Sequence, residues 1–403
     1  MEGKKILDTE QVISYLQSPN LSEIKRIEIM KFVISTQELN YLISKILNVV
    51  AQKPTIPILS NFLIEAYNDE LILTATDLTV GIHCHTEAKI LEEGSTTLPA
   101  KRLSQLVREL TAVNVEISTN TNEITTIIAG SSRFKLNGMS KTDYPSLPDL
   151  SQSHTFEMKQ SELKDLLYRT SFAVSKEDNR YVLTGVFIQI ANGSITFIGT
   201  DGKRLARAKG VIDNDPSFSG QAIIPIKAVD EILKNLTDEG EVKISLMADK
   251  VAIEANQMRI LTKLLSGDYP DVNRVIPEKS EIIVTLHREE LSSLLRQISL
   301  FTADHNHSVR FTFIPGELKL TANTMDIGEG NVSMPVNYDG PKLEIAFNPG
   351  FFIDILRHCK GETVIMGLTD AYNPGIITDS AELANSLDAS PLFVIMPMRL
   401  SED

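Results

Sequence analysis

The chain has 403 residues, 42% of them hydrophobic, with 39 Lys and Arg against 53 Asp and Glu for a formal net charge of −14. This length allows two to four domains with ample core, and a mean hydropathy of −0.03 is ordinary for a water-soluble fold. The acidic balance argues against a protein that coats nucleic acid over its whole surface, while a local basic face stays open. No apolar run approaches the ~18 residues of a membrane span, and no signal-peptide core is apparent. The two cysteines, Cys84 and Cys359, stand far apart, which suits a reduced, cytoplasmic setting.

Residues 1–29 differ from the rest. Val12, Ile13 and Leu16 allow a short amphipathic turn that Pro19-Asn20 ends, and nothing later repeats it. We expect an N-terminal extension, with the folded body starting at Met30.

From Met30 the chain repeats with a period of about 125 residues. Each copy opens with a strand and an amphipathic helix: Phe32-Val33-Ile34 with Leu39, Leu42, Ile43 and Ile46; Phe156 to Met158 with Leu163, Leu166 and Leu167; Ile282 to Leu286 with Leu291, Leu294, Leu295 and Ile298. Spacings of three and four bury one helix stripe against a sheet. A hairpin follows, with Asn68-Asp69, Asn192-Gly193 and Pro315-Gly316 as its turn signals. A second strand and helix span Thr97 to Leu110, Ala222 to Leu236 and Ile345 to Cys359, with Pro99 and Pro225 near the helix starts. Asp143-Tyr144-Pro145 and Asp268-Tyr269-Pro270 are matching joints between copies. The expected fold is α+β: three similar domains of two helices and about eight strands, over 30–150, 151–278 and 279–400, with 401–403 as a tail.

The second hairpin ends as no other does. After Ile195, Phe197 and Ile198, Thr200-Asp201-Gly202 predicts a tight turn, and Lys203-Arg204-Leu205 follows at once. Copies one and three read Thr76-Asp77-Leu78-Thr79 and Asn323-Thr324-Met325-Asp326 at that place. The solvent faces of the helices carry Lys101, Arg102, Lys164, Arg169, Lys227, Lys234, Arg296, Arg357 and Lys360 among interspersed acids. In an acidic chain this puts a modest basic excess on the helix layer.

The repeat and an ordered set of strings resemble the bacterial β sliding clamps, processivity factors of replicative DNA polymerase. The strings are Lys53 to Leu59, Ser132 to Leu136, Arg180 to Gly185, Thr200 to Leu205, Asp268 to Pro277 and Val394 to Leu400. The resemblance implies a head-to-tail homodimeric ring of six domains, with helices lining the hole and sheets outside, encircling double-stranded DNA without sequence preference. It also implies a pocket that takes short linear peptides from polymerase, clamp loader and repair proteins. Carried over position by position, the pocket uses Leu183, Thr200, Gly202, Lys203, Arg204, Leu205, Pro270, Arg274, Val275, Val394, Met396, Pro397, Met398 and Arg399, with Tyr372 and Pro374 on its rim. The alternative for Met396 and Met398 is the buried core of a last strand. The dimer contact is expected between Phe134 and Leu136 on one edge and Leu300 and Phe301 on the other, and Lys53 is expected at a DNA-contacting position. Glu177 departs from the neutral amide usual in the family, and Ser401-Glu402-Asp403 run past its usual end.

No catalytic set is assignable. His83-Cys84-His85 puts two imidazoles on one strand face without a third ligand, Asp304 to His307 reads as a solvated loop, and there is no phosphate-cradling glycine loop. No cofactor, metal or membrane partner is expected. The alternative to the clamp is a peptide-binding scaffold that does not encircle DNA.

Overall fold

The structure, a computed structural model, describes residues 28–51, 54–146, 150, 153–213, 218–303, 307–379 and 389–399. The expected extension lies outside these residues except for Glu28 and Ile29, which already belong to the first strand. Leu400 to Asp403 and Lys53 also lie outside them, as do three of the four residues Asp304 to His307. The chain forms two compact units, Met1–Ser146 and Leu147–Asp403.

In the first unit, β1 (Glu28–Ser35) leads into α1 (Thr36–Ile46), and α2 (Ala100–Glu109) follows β6 (Gly94–Pro99). Ser35 caps α1, its hydroxyl accepting from Glu38 N at 3.0 Å, and Leu39, Leu42, Ile43 and Ile46 are buried as their spacing predicts. Strands β2 (Asn61–Tyr67), β3 (Glu70–Thr76) and β4 (Val80–Glu87) are joined by hairpins. In the first of these, Asn68 and Asp69 both take positive φ, as a two-residue primed turn requires. Strands β5 (Lys89–Glu92), β7 (Asn114–Asn120), β8 (Ile124–Ala129) and β9 (Ser132–Asn137) join β1 in the order β5-β1-β7-β8-β9, which leaves β9 on an edge.

The second unit holds two further copies. The first has β10 (His154–Lys159), α3 (Gln160–Ser171), β11 (Gly185–Ala191), β12 (Ser194–Thr200), β13 (Arg204–Val211), β14 (Gly220–Pro225), α4 (Ile226–Asn235), β15 (Glu241–Leu246), β16 (Lys250–Ala255) and β17 (Met258–Lys263). The next has β18 (Ile282–His287), α5 (Arg288–Ser299), β19 (Val309–Ile314), β20 (Glu317–Thr324), β21 (Gly328–Pro335), β22 (Leu343–Phe347), α6 (Pro349–Arg357), β23 (Thr363–Leu368), β24 (Gly375–Thr378) and β25 (Leu392–Ile395).

One sheet runs through both copies in the order β14-β11-β12-β13-β25-β24-β23-β18. Its seam is antiparallel, pairing Arg204 with Ile395, Leu205 with Val394 and Ala206 with Phe393. Side chains alternate across the seam. Ala206, Phe393 and Ile395 pack with Ala173, Phe352 and Ile355 in the helix-side core, while Leu205, Leu392 and Val394 join Ile198, Val272, Ile276 and Ile376 in a separate apolar cluster. Sequence periodicity predicted the strands; the fusion of two copies' sheets comes only from the structure.

The tyrosine joints repeat in atomic detail. Tyr144 donates its hydroxyl to Thr74 O at 3.1 Å, and Tyr269 reaches Ile198 O at 3.5 Å, the matching carbonyl one copy later. Burial pushes both hydroxyls well above their usual range, so they stay protonated donors.

Candidate peptide pocket and nucleic-acid face

The turn after β12 has the predicted geometry. Gly202 sits at φ 82°, its amide donates to Thr200 Oγ1 at 3.1 Å, and that hydroxyl donates to Arg204 O at 2.6 Å. Asp201 Oδ1 accepts from the amides of Lys203 and Arg204 at 2.9 and 3.0 Å. Arg180, in the segment Asp178–Thr184 that carries Leu183, donates to Asp201 O at 2.7 Å and so fixes the turn from outside. The seam continues one residue beyond β25 through Met396 N to Lys203 O at 2.9 Å.

The apolar cluster at the seam lies on the sheet face opposite the helices. Leu205 and Val394 are buried in it beside Val272 and Ile276, which open and follow the short helical turn Val272–Val275, and Phe187 stacks on Tyr269 at 4.6 Å. Asp271 caps that turn through Asn273 N at 3.2 Å and pairs with Arg274 at 3.1 Å. Pro270, Arg274, Val275 and Met396 are exposed, while Pro397 and Met398 are half-buried. Met396 is therefore not core of a last strand. Met398 is anchored elsewhere, its amide donating to Ala346 O at 2.7 Å, with Arg399 exposed after it. Leu183 is half-buried, Pro374 half-buried and Tyr372 87% exposed, the last two in the loop entering β24. Leu205 and Val394 thus share one cluster, Val275 adjoins its member Ile276 in sequence, and Met396 continues the seam beyond β25. Phe187, Ile198, Tyr269, Val272 and Ile276 complete this cluster and were not singled out for it in the sequence, although the four-residue spacing of Val272 and Ile276 hinted at a shared face.

Arg204 corrects the sequence reading. It is 7% exposed and lies on the helix side of the sheet, opposite the cluster to which Leu205 belongs. It lines a cleft of about 550 Å³ with Lys176, Glu177, Asn348, Phe351 and Asp354.

The helix cations divide. Lys101 and Arg102 are exposed on the first turn of α2, and Lys227 on that of α4. Lys234 is exposed near Glu231, and Arg296 bonds Ser292 Oγ at 2.8 Å. Lys164 pairs with Asp238 at 2.7 Å, which draws that carboxyl below its usual range. Arg357 stands 3.6 Å from Asp354, and Lys360 pairs with Asp165. Arg169 does not fit a phosphate contact: it is 8% exposed and held by Asp165 at 3.0 Å and Asp379 at 3.2 Å, with His358 O at 3.4 Å. Its partners come from the neighbouring copy as well as its own helix, so it joins modules.

Phe134 is exposed and Leu136 half-buried on edge strand β9. Leu300, after α5, is 73% exposed, while Phe301 packs on the module core, where a Cβ at Gly330 of edge strand β21 would come within 2.9 Å of its ring. His83 meets Thr74 Oγ1 at 3.3 Å and His85 meets Glu70 at 3.5 Å. No group of three metal-ligating side chains occurs among the described residues. Burial raises both cysteine thiols to about 12, which makes them poor nucleophiles.

A chain that builds one two-helix module three times, and fuses sheets across a module boundary, has the architecture of a DNA clamp. Models of the DNA polymerase III beta subunit match in order: its N-terminal domain over residues 30–148, its central domain over 157–271 and its C-terminal domain over 273–399. The chain is 55% identical to a beta sliding clamp of Chlamydia pneumoniae over 374 residues, covering 93% of this chain and 100% of that one. It is 30% identical to one from Pseudomonas putida, covering 92% and 100%. Among solved structures it resembles the sliding clamp of Bacillus subtilis (TM-score 0.88, 27% identity) and a Pseudomonas aeruginosa clamp bound to griselimycin (TM-score 0.87, 29% identity), each over 92% of this chain and 100% of that one. The chain belongs to the DNA polymerase III beta subunit family, the bacterial β sliding clamps.

Proposed function

We infer that this chain is a non-catalytic processivity subunit, which encircles double-stranded DNA as a homodimer and tethers the replicative polymerase to it. The ordered match of three clamp modules carries this reading. A topological link permits weak contacts, which suits a helix layer with only modest basic excess. Tethering raises the polymerase's local concentration at the primer end without new chemistry.

The site assignments are our proposals. The floor of Leu205, Val394, Val272 and Ile276, rimmed by Val275 and Met396, is apolar, and its rim methionine adapts to varied side chains. These properties suit short linear peptides of polymerase, clamp loader and repair proteins. Lys101 and Arg102 stand in the first turn of α2, where the helix dipole disfavours cations; a phosphate contact offsets that cost. Edge strand β9 with Phe134, and Leu300 beside edge strand β21, suit a contact between copies that covers both edges. No helix among the described residues is long and apolar enough to cross a membrane, and we place the protein in the cytoplasm, where replication occurs.

The test is retention. Protein loaded on a nicked plasmid circle should stay bound through high-salt gel filtration and be released when a restriction enzyme linearises the circle. Equal loss from circle and linear DNA would leave a peptide-binding scaffold instead.

A further inference from the structure

The turn Thr200–Arg204 does not need an arginine in order to fold. The first module makes the same turn with Val80 in that place: Thr76 Oγ1 donates to Val80 O at 3.0 Å, Leu78 N donates to Thr76 Oγ1 at 3.0 Å, and Asp77 Oδ1 takes the amides of Thr79 and Val80. What Arg204 adds lies on the far side of the sheet. Its Nη1 meets Asp354 of α6 at 2.7 Å, its Nη2 donates to Phe172 O at 3.0 Å, and its Nε donates to Asp201 Oδ2 at 3.1 Å. The guanidinium also lies over the rings of Phe351 and Phe172, 4.7 and 5.3 Å from their centroids. Every nitrogen of the fork is engaged on that side, and alternation along β13 sends the next side chain, Leu205, to the pocket floor.

We propose that Arg204 is a positioning residue for the peptide pocket: it clips the turn to α6 of the neighbouring module and so fixes the seam from behind. This rests on the pocket reading above. With the clip closed, Lys203 O is held where Met396 N reaches it, and Leu205 and Val394 stay in register beneath the peptide. Opening the clip frees one wall of the pocket without touching the floor. By linkage, peptide and clip stabilise one another.

The test uses the full chain and a synthetic pentapeptide containing Gln, Leu and Phe. Asp354→Asn, a change on the sheet face away from the pocket, should weaken peptide binding about five-fold or more, and adding it to Arg204→Met should cost little beyond Arg204→Met alone. Asp165→Asn, which removes one partner of Arg169 and the carboxylate paired with Lys360 at another point of the same module boundary, should lower the melting temperature and leave peptide affinity unchanged. Amide exchange at Leu205 and Met396 should quicken in Asp354→Asn and not in Asp165→Asn. Wild-type affinity together with unchanged exchange in Asp354→Asn would overturn the proposal, as would equal loss of affinity in both Asn variants. Should the wild type bind no peptide, the pocket reading fails, and the exchange at Met396 still decides whether the clip sets the seam.

Discussion

Leu78 and Gly202 occupy the same place in the same turn, one module apart, with φ of 75° and 82°. A leucine there bears the clash between Cβ and backbone that glycine escapes, of order 1–2 kcal/mol. Leu78→Gly should therefore raise stability by about 1 kcal/mol, the relief exceeding the extra entropy of the unfolded chain. Gly202→Ala should cost about as much, and its new Cβ would crowd the Arg180 guanidinium off Asp201 O. Denaturant melts of the two variants check both signs.

Leu205 is buried with Val394 in the apolar cluster that we propose as the pocket floor. Truncation to alanine removes buried methyl groups and leaves a space that the paired strands cannot close, a loss of about 2–4 kcal/mol. Leu205→Ala should abolish binding of the Gln/Leu/Phe peptide, whereas Met396→Ala, at an exposed rim, should weaken it with little change in melting temperature. Equal peptide binding by wild type and the double variant would remove the floor from the peptide site.

Arg169 and the pair Lys101 and Arg102 should behave oppositely. The Arg169–Asp379 pair is buried, so Arg169→Ala leaves that carboxylate without its counter-charge, held by the amides of Lys360 and Gly361, and should cost about 3 kcal/mol. Lys101→Ala with Arg102→Ala should leave stability nearly unchanged and lower DNA affinity, reducing the salt slope by about one for each phosphate that is no longer neutralised. Titrating DNA binding against salt, beside thermal melts, separates the two classes.

His358 stacks on Phe172 at 4.0 Å and lies against Tyr168, and its Nδ1 donates to Asp354 O at 2.7 Å. Burial lowers its pKa below the usual 6.5, with Arg357 and Arg204 adding to the effect while Asp354 opposes it. The unfolded chain therefore binds this proton more tightly than the folded one. Stability from the neutral ring is complete above pH 6.5 and is lost as pH falls from there toward the folded value. His358→Asn, which keeps a donor for Asp354 O, should flatten melting temperature against pH across that acidic window. An unchanged slope would assign the pH dependence to other groups.

Much of the fold was legible in the chain itself. The threefold repeat, the buried stripe Leu39, Leu42, Ile43 and Ile46, and the turns at Asn68-Asp69 and Gly202 follow from local rules: helical spacing, and residues that tolerate positive φ. Those rules act within a few residues, so sequence determines them alone. The two arginines misplaced from sequence are settled by long-range pairing. Arg204 meets Asp354 at a separation of 150 residues and Arg169 meets Asp379 at 210. A long cationic side chain in an exposed register looks the same in sequence whether it meets solvent, a phosphate or a carboxylate. Only the fusion of sheets at β13 and β25, which brings the third module's acids against the second module's arginines, decided that these two would be buried fasteners.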